Sequence, residues 1–186
     1  MPGMEDLRVH LAPYLVEGEK LIWVGRPDPA RHFCGADLLL VPFSLLWGGF
    51  AFTWMASAVL DGSFFFVLWG VPFVAVGLYV IFGRFLYKAS RKRRTVYGLT
   101  GTRALAALDR GSLSEVPLRG TPISQQVTRK GEHLTVSFGV VTGGLAGGFA
   151  SSNTGMELLD WSSRPLSFYD VKDVVGLQNA LRGMPR

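Results

Sequence analysis

From Leu38 to Leu60, and again from Phe64 to Gly83, the chain carries no charged side chain, and only Asp61-Gly62-Ser63 separates the two runs. An α-helix rises about 1.5 Å per residue and the hydrocarbon core of a bilayer is about 30 Å thick, so runs of 23 and 20 residues are each long enough to cross it. With so short a turn between them, they are expected to form an antiparallel hairpin of two transmembrane α-helices. Two buried helices of a soluble core are the alternative, but such helices seldom run this long without a polar face.

Basic residues flank the hairpin on one side only. Arg8, Lys20, Arg26 and Arg31 precede the first run, Arg84, Lys88, Arg91, Lys92, Arg93 and Arg94 follow the second, and the turn has neither Lys nor Arg. By the positive-inside bias both termini are expected in the cytoplasm, the protein being multi-pass in the cell membrane. The first run starts too late and is too long for a cleaved signal peptide, so it is read as an uncleaved anchor. The formal net charge of +5 is local, because residues 84–94 alone contribute +6. That concentration points to anionic lipid headgroups as the partner and away from nucleic acid. A single cysteine, Cys34, excludes an internal disulfide framework.

Four segments follow: a cytoplasmic stretch 1–37, the hairpin 38–83, a basic juxtamembrane helical extension 84–94, and a mainly-β domain 95–186. Glu5 to Leu11 reads as a short helix with Leu7 and Leu11 on one face, stopped at Pro13. Residues 20–25, Lys-Leu-Ile-Trp-Val-Gly, read as a strand that must pair with the C-terminal domain, since a lone strand is not stable in water. Strands are expected at 95–100 and 103–108 around Gly101-Thr102, at 116–118 with Pro117 holding it to an edge, at 123–129 and 133–141 around Lys130-Gly131-Glu132, and at 156–161. A final helix is expected with Asp170 as N-cap and with Val171, Val174, Val175 and Leu181 on its buried face. Within the hairpin, Gly49, Thr53 and Ser57, with Gly70 and Gly77, are small residues that pack the two helices together or else offer a face to a second subunit. Pro42 falls in the first turn of its helix, and Pro72 lies deep enough to kink the second.

Several pieces share a pattern. Gly18-Glu19-Lys20-Leu21-Ile22-Trp23-Val24-Gly25-Arg26-Pro27, a helical hairpin, Arg94-Thr95-Val96-Tyr97-Gly98-Leu99-Thr100-Gly101-Thr102-Arg103 and Ser167-Phe168-Tyr169-Asp170-Val171 together resemble the bacterial membrane-anchored pleckstrin-homology-like (PH-like) proteins. The resemblance spans roughly residues 15 to 182, and its most specific part is Tyr-x-Leu-Thr-x-x-Arg after the basic stretch. It implies a curved antiparallel barrel of about seven strands capped by a C-terminal helix, used as a platform for lipid headgroups or protein segments. Phosphoinositide-binding members of the wider superfamily carry several Lys and Arg around the first hairpin loop. Here that loop is Gly101-Thr102 with only Arg103 beside it, which argues against inositol-phosphate recognition.

No catalytic constellation is legible. His10, His32 and His133 are far apart, His32-Phe33-Cys34 lacks further ligands for a metal, and the glycines of 143–148 are not followed by the Lys-Ser/Thr of a phosphate loop. Neither metal nor cofactor is expected, and Glu157 and Asp160 read as solvated. Arg84, Lys88, Arg91, Lys92, Arg93 and Arg94 are the candidates for anionic headgroup binding, with topology and anchoring as the plainer role of the same charges. Leu145 and Phe149, in the Gly- and Ser-rich loop 142–155, are the candidates for gripping a partner. The expected role is a non-catalytic adaptor or scaffold at the cytoplasmic face that recognises a protein partner or a second copy of itself. Sensing of anionic lipid is the alternative, and an accessory subunit or enzyme of envelope or lipid metabolism is a third reading.

Overall fold

The computed structural model describes residues 3–108, 111–128, 130–140, 153–155 and 165–184. The chain divides into two units, one comprising Met1–Arg31, Ala89–Ser151 and Ser162–Arg186, the other His32–Lys88 and Ser152–Trp161.

In the first unit, helix α1 (Met4–Leu11) precedes strand β1 (Leu21–Gly25), and strands β2 (Thr95–Thr100), β3 (Arg103–Leu108) and β4 (Ser112–Pro117) complete an antiparallel sheet of order β1-β2-β3-β4. Strands β5 (Ile123–Val127), β6 (Leu134–Phe138) and β7 (Leu166–Val171) form a second antiparallel sheet in sequence order. The two sheets are not closed into a barrel. Beyond their named strands they meet at an antiparallel bridge between Pro27 and Val171.

The residue types explain the layering. Along β2, Tyr97 and Leu99 join Trp23, Ala104, Leu134, Val136, Phe138, Phe168 and Val171 in one core, while Val96 turns the other way to pack with Leu7, Leu11, Val24 and Ala107. The first sheet is therefore covered on both faces, which is why β2 lacks a polar-apolar alternation. Gly98 is what allows α1 to lie so close, since a Cβ there would meet Leu11 Cδ1 at 2.7 Å.

The C-terminal helix, α5 (Val174–Arg182), starts later than expected. Asp170 is not its cap, because β7 continues through Val171, which pairs with both Leu134 and Pro27. Asp173 is the cap, accepting the Gly176 N–H at 3.0 Å. The buried face is correspondingly shifted: Leu177 enters the core, flanked by Val174 and Leu181, and Val175 is exposed.

In the second unit, helices α2 (Asp37–Leu60) and α3 (Phe64–Leu78) are antiparallel partners joined at Asp61-Gly62-Ser63. A π-helical turn (Tyr79–Gly83) leads on into α4 (Arg84–Arg94), whose residues from Ala89 belong to the first unit. Asp37–Leu60 and Phe64–Arg94 are both long and apolar enough to cross a membrane, and most of their apolar side chains are exposed. Because α2 begins at Asp37, Pro42 sits in its second turn rather than its first.

Small residues do set the helix contact, but only some of those expected. Gly77 lies where an added Cβ would stand 3.6 Å from Gly48 Cα, and Ser44, Gly48, Ala51 and Ala58 on α2, like Gly70 and Gly77 on α3, are buried. Gly49, Thr53 and Ser57 lie on the outer face, where Thr53 Oγ1 donates to Gly49 O at 2.8 Å and Ser57 Oγ to Thr53 O at 3.1 Å. These hydroxyls are thus satisfied by their own helix, without a partner.

Candidate functional site

The basic stretch on α4 is split by helical spacing. Arg84, Lys88 and Lys92 recur every fourth residue and are buried, whereas Arg91, Arg93 and Arg94 are exposed.

In the second unit, side chains of Arg84, Lys88 and Asp37 are 0, 2 and 3% exposed. The Arg84 guanidinium pairs through Nη1 with Asp37 Oδ1, and its Nε donates to Val80 O at 2.8 Å, a carbonyl in the π-helical turn. Lys88 Nζ donates to His32 O at 2.8 Å and stands 3.7 Å from Asp37 Oδ2. The same carboxylate accepts the Cys34 N–H at 2.7 Å. Burial pushes the Cys34 thiol above its ordinary range, with the Lys88 charge opposing and the Asp37 charge adding, so this cysteine is a poor nucleophile. Tyr79 Oη donates to Gly155 O at 2.5 Å, which seats Asn153-Thr154-Gly155 against the turn.

In the first unit, the third inward cation meets a bulge. Leu134 pairs with Val171 and Val136 with Phe168, so Tyr169 and Asp170 together oppose Thr135. Asp170 takes φ +51°, the only positive φ at a non-glycine among the described residues, which aims its carboxylate inward. Lys92 Nζ donates to Asp170 Oδ2 at 2.5 Å, to Arg31 O at 2.7 Å and to Asp28 O at 3.2 Å. Arg31 Nη1 takes the other carboxylate oxygen at 2.5 Å. The backbone N–H groups of the bulge are also satisfied, Tyr169 donating to Tyr97 Oη and Asp170 to Thr135 Oγ1.

Asp28 extends this network. It accepts from the Ala30 N–H, lies 2.9 Å from His133 Nε2 and 3.3 Å from Lys172 Nζ, and its own N–H donates to Asp170 O. Burial alone would raise its pKa, but the His133, Ala30 and Lys172 contacts outweigh it and hold the carboxyl below its ordinary value. An ammonium with three acceptors is a fixed cation rather than an available amine. The arrangement holds the segments around Asp28, Arg31, Lys92 and Asp170 together.

The two motifs that carried the family resemblance turn out to grip one another. Arg103 donates from Nε and Nη2 to Glu19 at 3.0 and 2.7 Å, pairs through Nη1 with Glu115, and reaches Tyr14 O. Thr100 and Thr102 hydroxyls complete the set on Glu19. The Arg103 hydrogen bonds, joined by those of Val16 and Thr100, outweigh burial and lower the Glu19 pKa to about 2. Tyr97 stacks on Phe168 with centroids 4.5 Å apart, and Trp23 Nε1 donates to the helix cap Asp173 at 2.9 Å. Tyr-x-Leu-Thr-x-x-Arg is thus used up on internal contacts.

Among the described residues an open sheet edge lies at β5, which exposes all five of its residues. Its ladder with β6 is fixed by Gly139 N–H to Pro122 O and Thr128 N–H to His133 O, and in an antiparallel pair hydrogen-bonded positions alternate. Ser124 and Gln126 therefore bond β6, and the backbone groups of Ile123, Gln125 and Val127 point to the free edge. These three share the face that carries Phe138, Val136 and Leu134 on β6, yet Ile123 and Val127 are 39 and 43% exposed. No sequence signal marked this edge, since ISQQV reads as an ordinary short strand.

Leu145 and Phe149, like the expected strand 156–161 with Glu157 and Asp160, lie outside the described residues. Among the described residues no three His, Cys, Asp or Glu side chains gather in a way that could hold a metal ion. In comparisons with known proteins the chain matches no family model, no curated protein and no solved structure.

Proposed function

We propose that this chain is a membrane-anchored PH-like binding module of the cytoplasmic face, which takes an extended segment of a protein partner as an added strand on β5. The observation that carries the reading is the free edge of Ile123, Gln125 and Val127, with apolar side chains of the core face left uncovered beside it. An unpaired, exposed edge is a template for a further strand, with main-chain hydrogen bonds giving affinity and alternate side chains giving specificity. The PH-like part of the reading draws support from the division of the seven strands among the described residues into four and three, the Pro27–Val171 bridge and the core helix α5. The anchor draws support from two helices of spanning length.

Gln125→Pro tests it. Proline removes the N–H that faces the free edge and leaves the Ser124 and Gln126 bonds to β6 untouched. Full-length wild type and variant, purified from native membranes in mild detergent at high salt, are compared by mass spectrometry of the bound proteins and lipids. A stoichiometric protein retained by the wild type and lost with Gln125→Pro supports strand addition. A partner retained equally by both, or lipid alone, overturns it.

Sensing of anionic lipid has its own observation, the exposed trio Arg91, Arg93 and Arg94. Each basic residue near an anionic surface contributes about 1 kcal/mol. Salt-sensitive vesicle binding that is lost when all three become Gln is the result this second reading requires.

A further inference from the structure

We propose that Arg84 and Lys88 form a receptor for the phosphate of one anionic phospholipid, beside Asp37. This inference rests on the reading that α2 and α3 cross the membrane, and it is independent of strand addition at β5.

Three observations in the second unit lead there. Two buried cations face one buried carboxylate, leaving one positive charge uncompensated by the groups they contact. Among the described residues Arg84 Nη2 is buried without a hydrogen-bond acceptor, although Nη1 and Nε are both used and the guanidinium carbon lies 4.2 Å from the Phe85 ring centroid. Among the described residues Lys88 Nζ is within hydrogen-bonding distance of His32 O alone, its approach to Asp37 being 3.7 Å. Buried donors and a surplus charge call for an acceptor that is itself anionic, because an unpaired charge away from water is strongly disfavoured. A phosphate oxygen supplies both, and guanidinium geometry suits it.

Position chooses the source of that phosphate. Arg84 is the first charged residue after the twenty of Phe64–Gly83, which at about 1.5 Å per residue end near the depth of the headgroups. On either side in sequence, Phe33, Leu38, Phe82 and Leu86 present exposed apolar side chains that acyl chains would cover. A ligand with an anionic head and apolar tails fits this surround, and free phosphate uses only half of it.

The test is native mass spectrometry of the full-length protein in mild detergent with phosphatidylglycerol or phosphatidylcholine added. The expected result is one phosphatidylglycerol per chain, preferred over phosphatidylcholine by at least about tenfold, equivalent to ~1.4 kcal/mol. The preference should persist at about 0.5 M salt, since a buried contact is screened far less than a surface one. Arg84→Gln should abolish the preference, and Arg91→Gln/Arg93→Gln/Arg94→Gln should keep it. Asp37→Asn is the decisive companion, since it retains an acceptor for Arg84 while raising the surplus charge, and it should tighten phosphatidylglycerol binding. Unchanged retention in Arg84→Gln, or weaker retention in Asp37→Asn, would overturn the site. Displacement of the lipid by millimolar inorganic phosphate would overturn the lipid as its occupant. Carbonate extraction of the same membranes reads the spans separately: a chain released to the supernatant refutes the membrane reading, and a chain retained there leaves the lipid experiment to judge the site alone.

Discussion

Lys92 and Asp170 meet at 2.5 Å inside the first unit, with side chains 1 and 6% exposed, and the contact exists because a bulge in β7 turns Asp170 through a positive φ. Removing one partner of a buried ion pair leaves the other charge stranded, which costs about 3–5 kcal/mol. Lys92→Ala should destabilise the protein by that amount, while Arg91→Ala, one position away and exposed, should stay within about 0.5 kcal/mol. Thermal unfolding in mild detergent compares the two, and equal effects would remove the buried network from the account.

Acid should act through Glu19. Its carboxyl titrates near 2 in the folded chain against 4.5 as the reference for the unfolded chain. Between these values the unfolded state takes up a proton that the folded state does not, so the stabilisation is complete above about pH 4.5 and is lost as pH falls towards 2. Unfolding midpoints measured from pH 6 down to 2.5 should decline less steeply in Glu19→Gln than in wild type. Parallel slopes would mean that Arg103 does not hold Glu19 in solution.

At the helix contact, Gly77→Val should weaken the packing of α2 on α3, because an added Cβ would already touch Gly48 Cα at 3.6 Å and Trp47 at 3.8 Å, so the two methyls beyond it press on α2. Overpacking of this kind costs about 1–3 kcal/mol. Gly49→Val has nothing within 4 Å of its new Cβ and should be tolerated. Thermal midpoints in detergent check the contrast, and the opposite ranking would place the helix interface on the Gly49 face.

Asp173 serves two donors, the Gly176 N–H and the Trp23 indole. Loss of an N-cap costs about 1 kcal/mol, and stranding a buried donor costs about 1–3 kcal/mol more. Asp173→Ala should therefore exceed an ordinary cap deletion, whereas Asp173→Asn, which keeps an acceptor oxygen, should recover most of the loss. Chemical denaturation of the two variants decides, and Asn behaving like Ala would exclude the shared acceptor.

The apolar runs 38–60 and 64–83 were legible in the sequence because spanning length and the absence of charge are one-dimensional properties. Most strands were legible too, since turn glycines and β-branched runs act locally: β2, β3 and the hairpin of β5 and β6 lie within a few residues of where the pattern puts them. Asp170 and Asp173 show the limit. Both are acidic residues before a helical stretch, and only the pairing of Val171 with Leu134 and Pro27 assigns one to a strand and the other to the cap.

The small residues of the hairpin mark the same boundary. Composition put Gly and Ser on the first helix, but rotation about its axis, fixed by Gly77 against Gly48, decided that Ser44, Gly48, Ala51 and Ala58 face inward. Likewise, six basic residues in eleven gave the sequence a single positive stretch. The fold divided it, burying Arg84, Lys88 and Lys92 against Asp37, Asp28 and Asp170 and leaving Arg91, Arg93 and Arg94 outside. Those aspartates, Asp28 through its backbone carbonyl and the others through their carboxylates, lie 47 to 78 residues away along the chain. Hydrophobic length and turn chemistry are written locally and can be read in order. Charge pairing and free strand edges depend on which distant segments arrive beside them, and only the folded chain determines that.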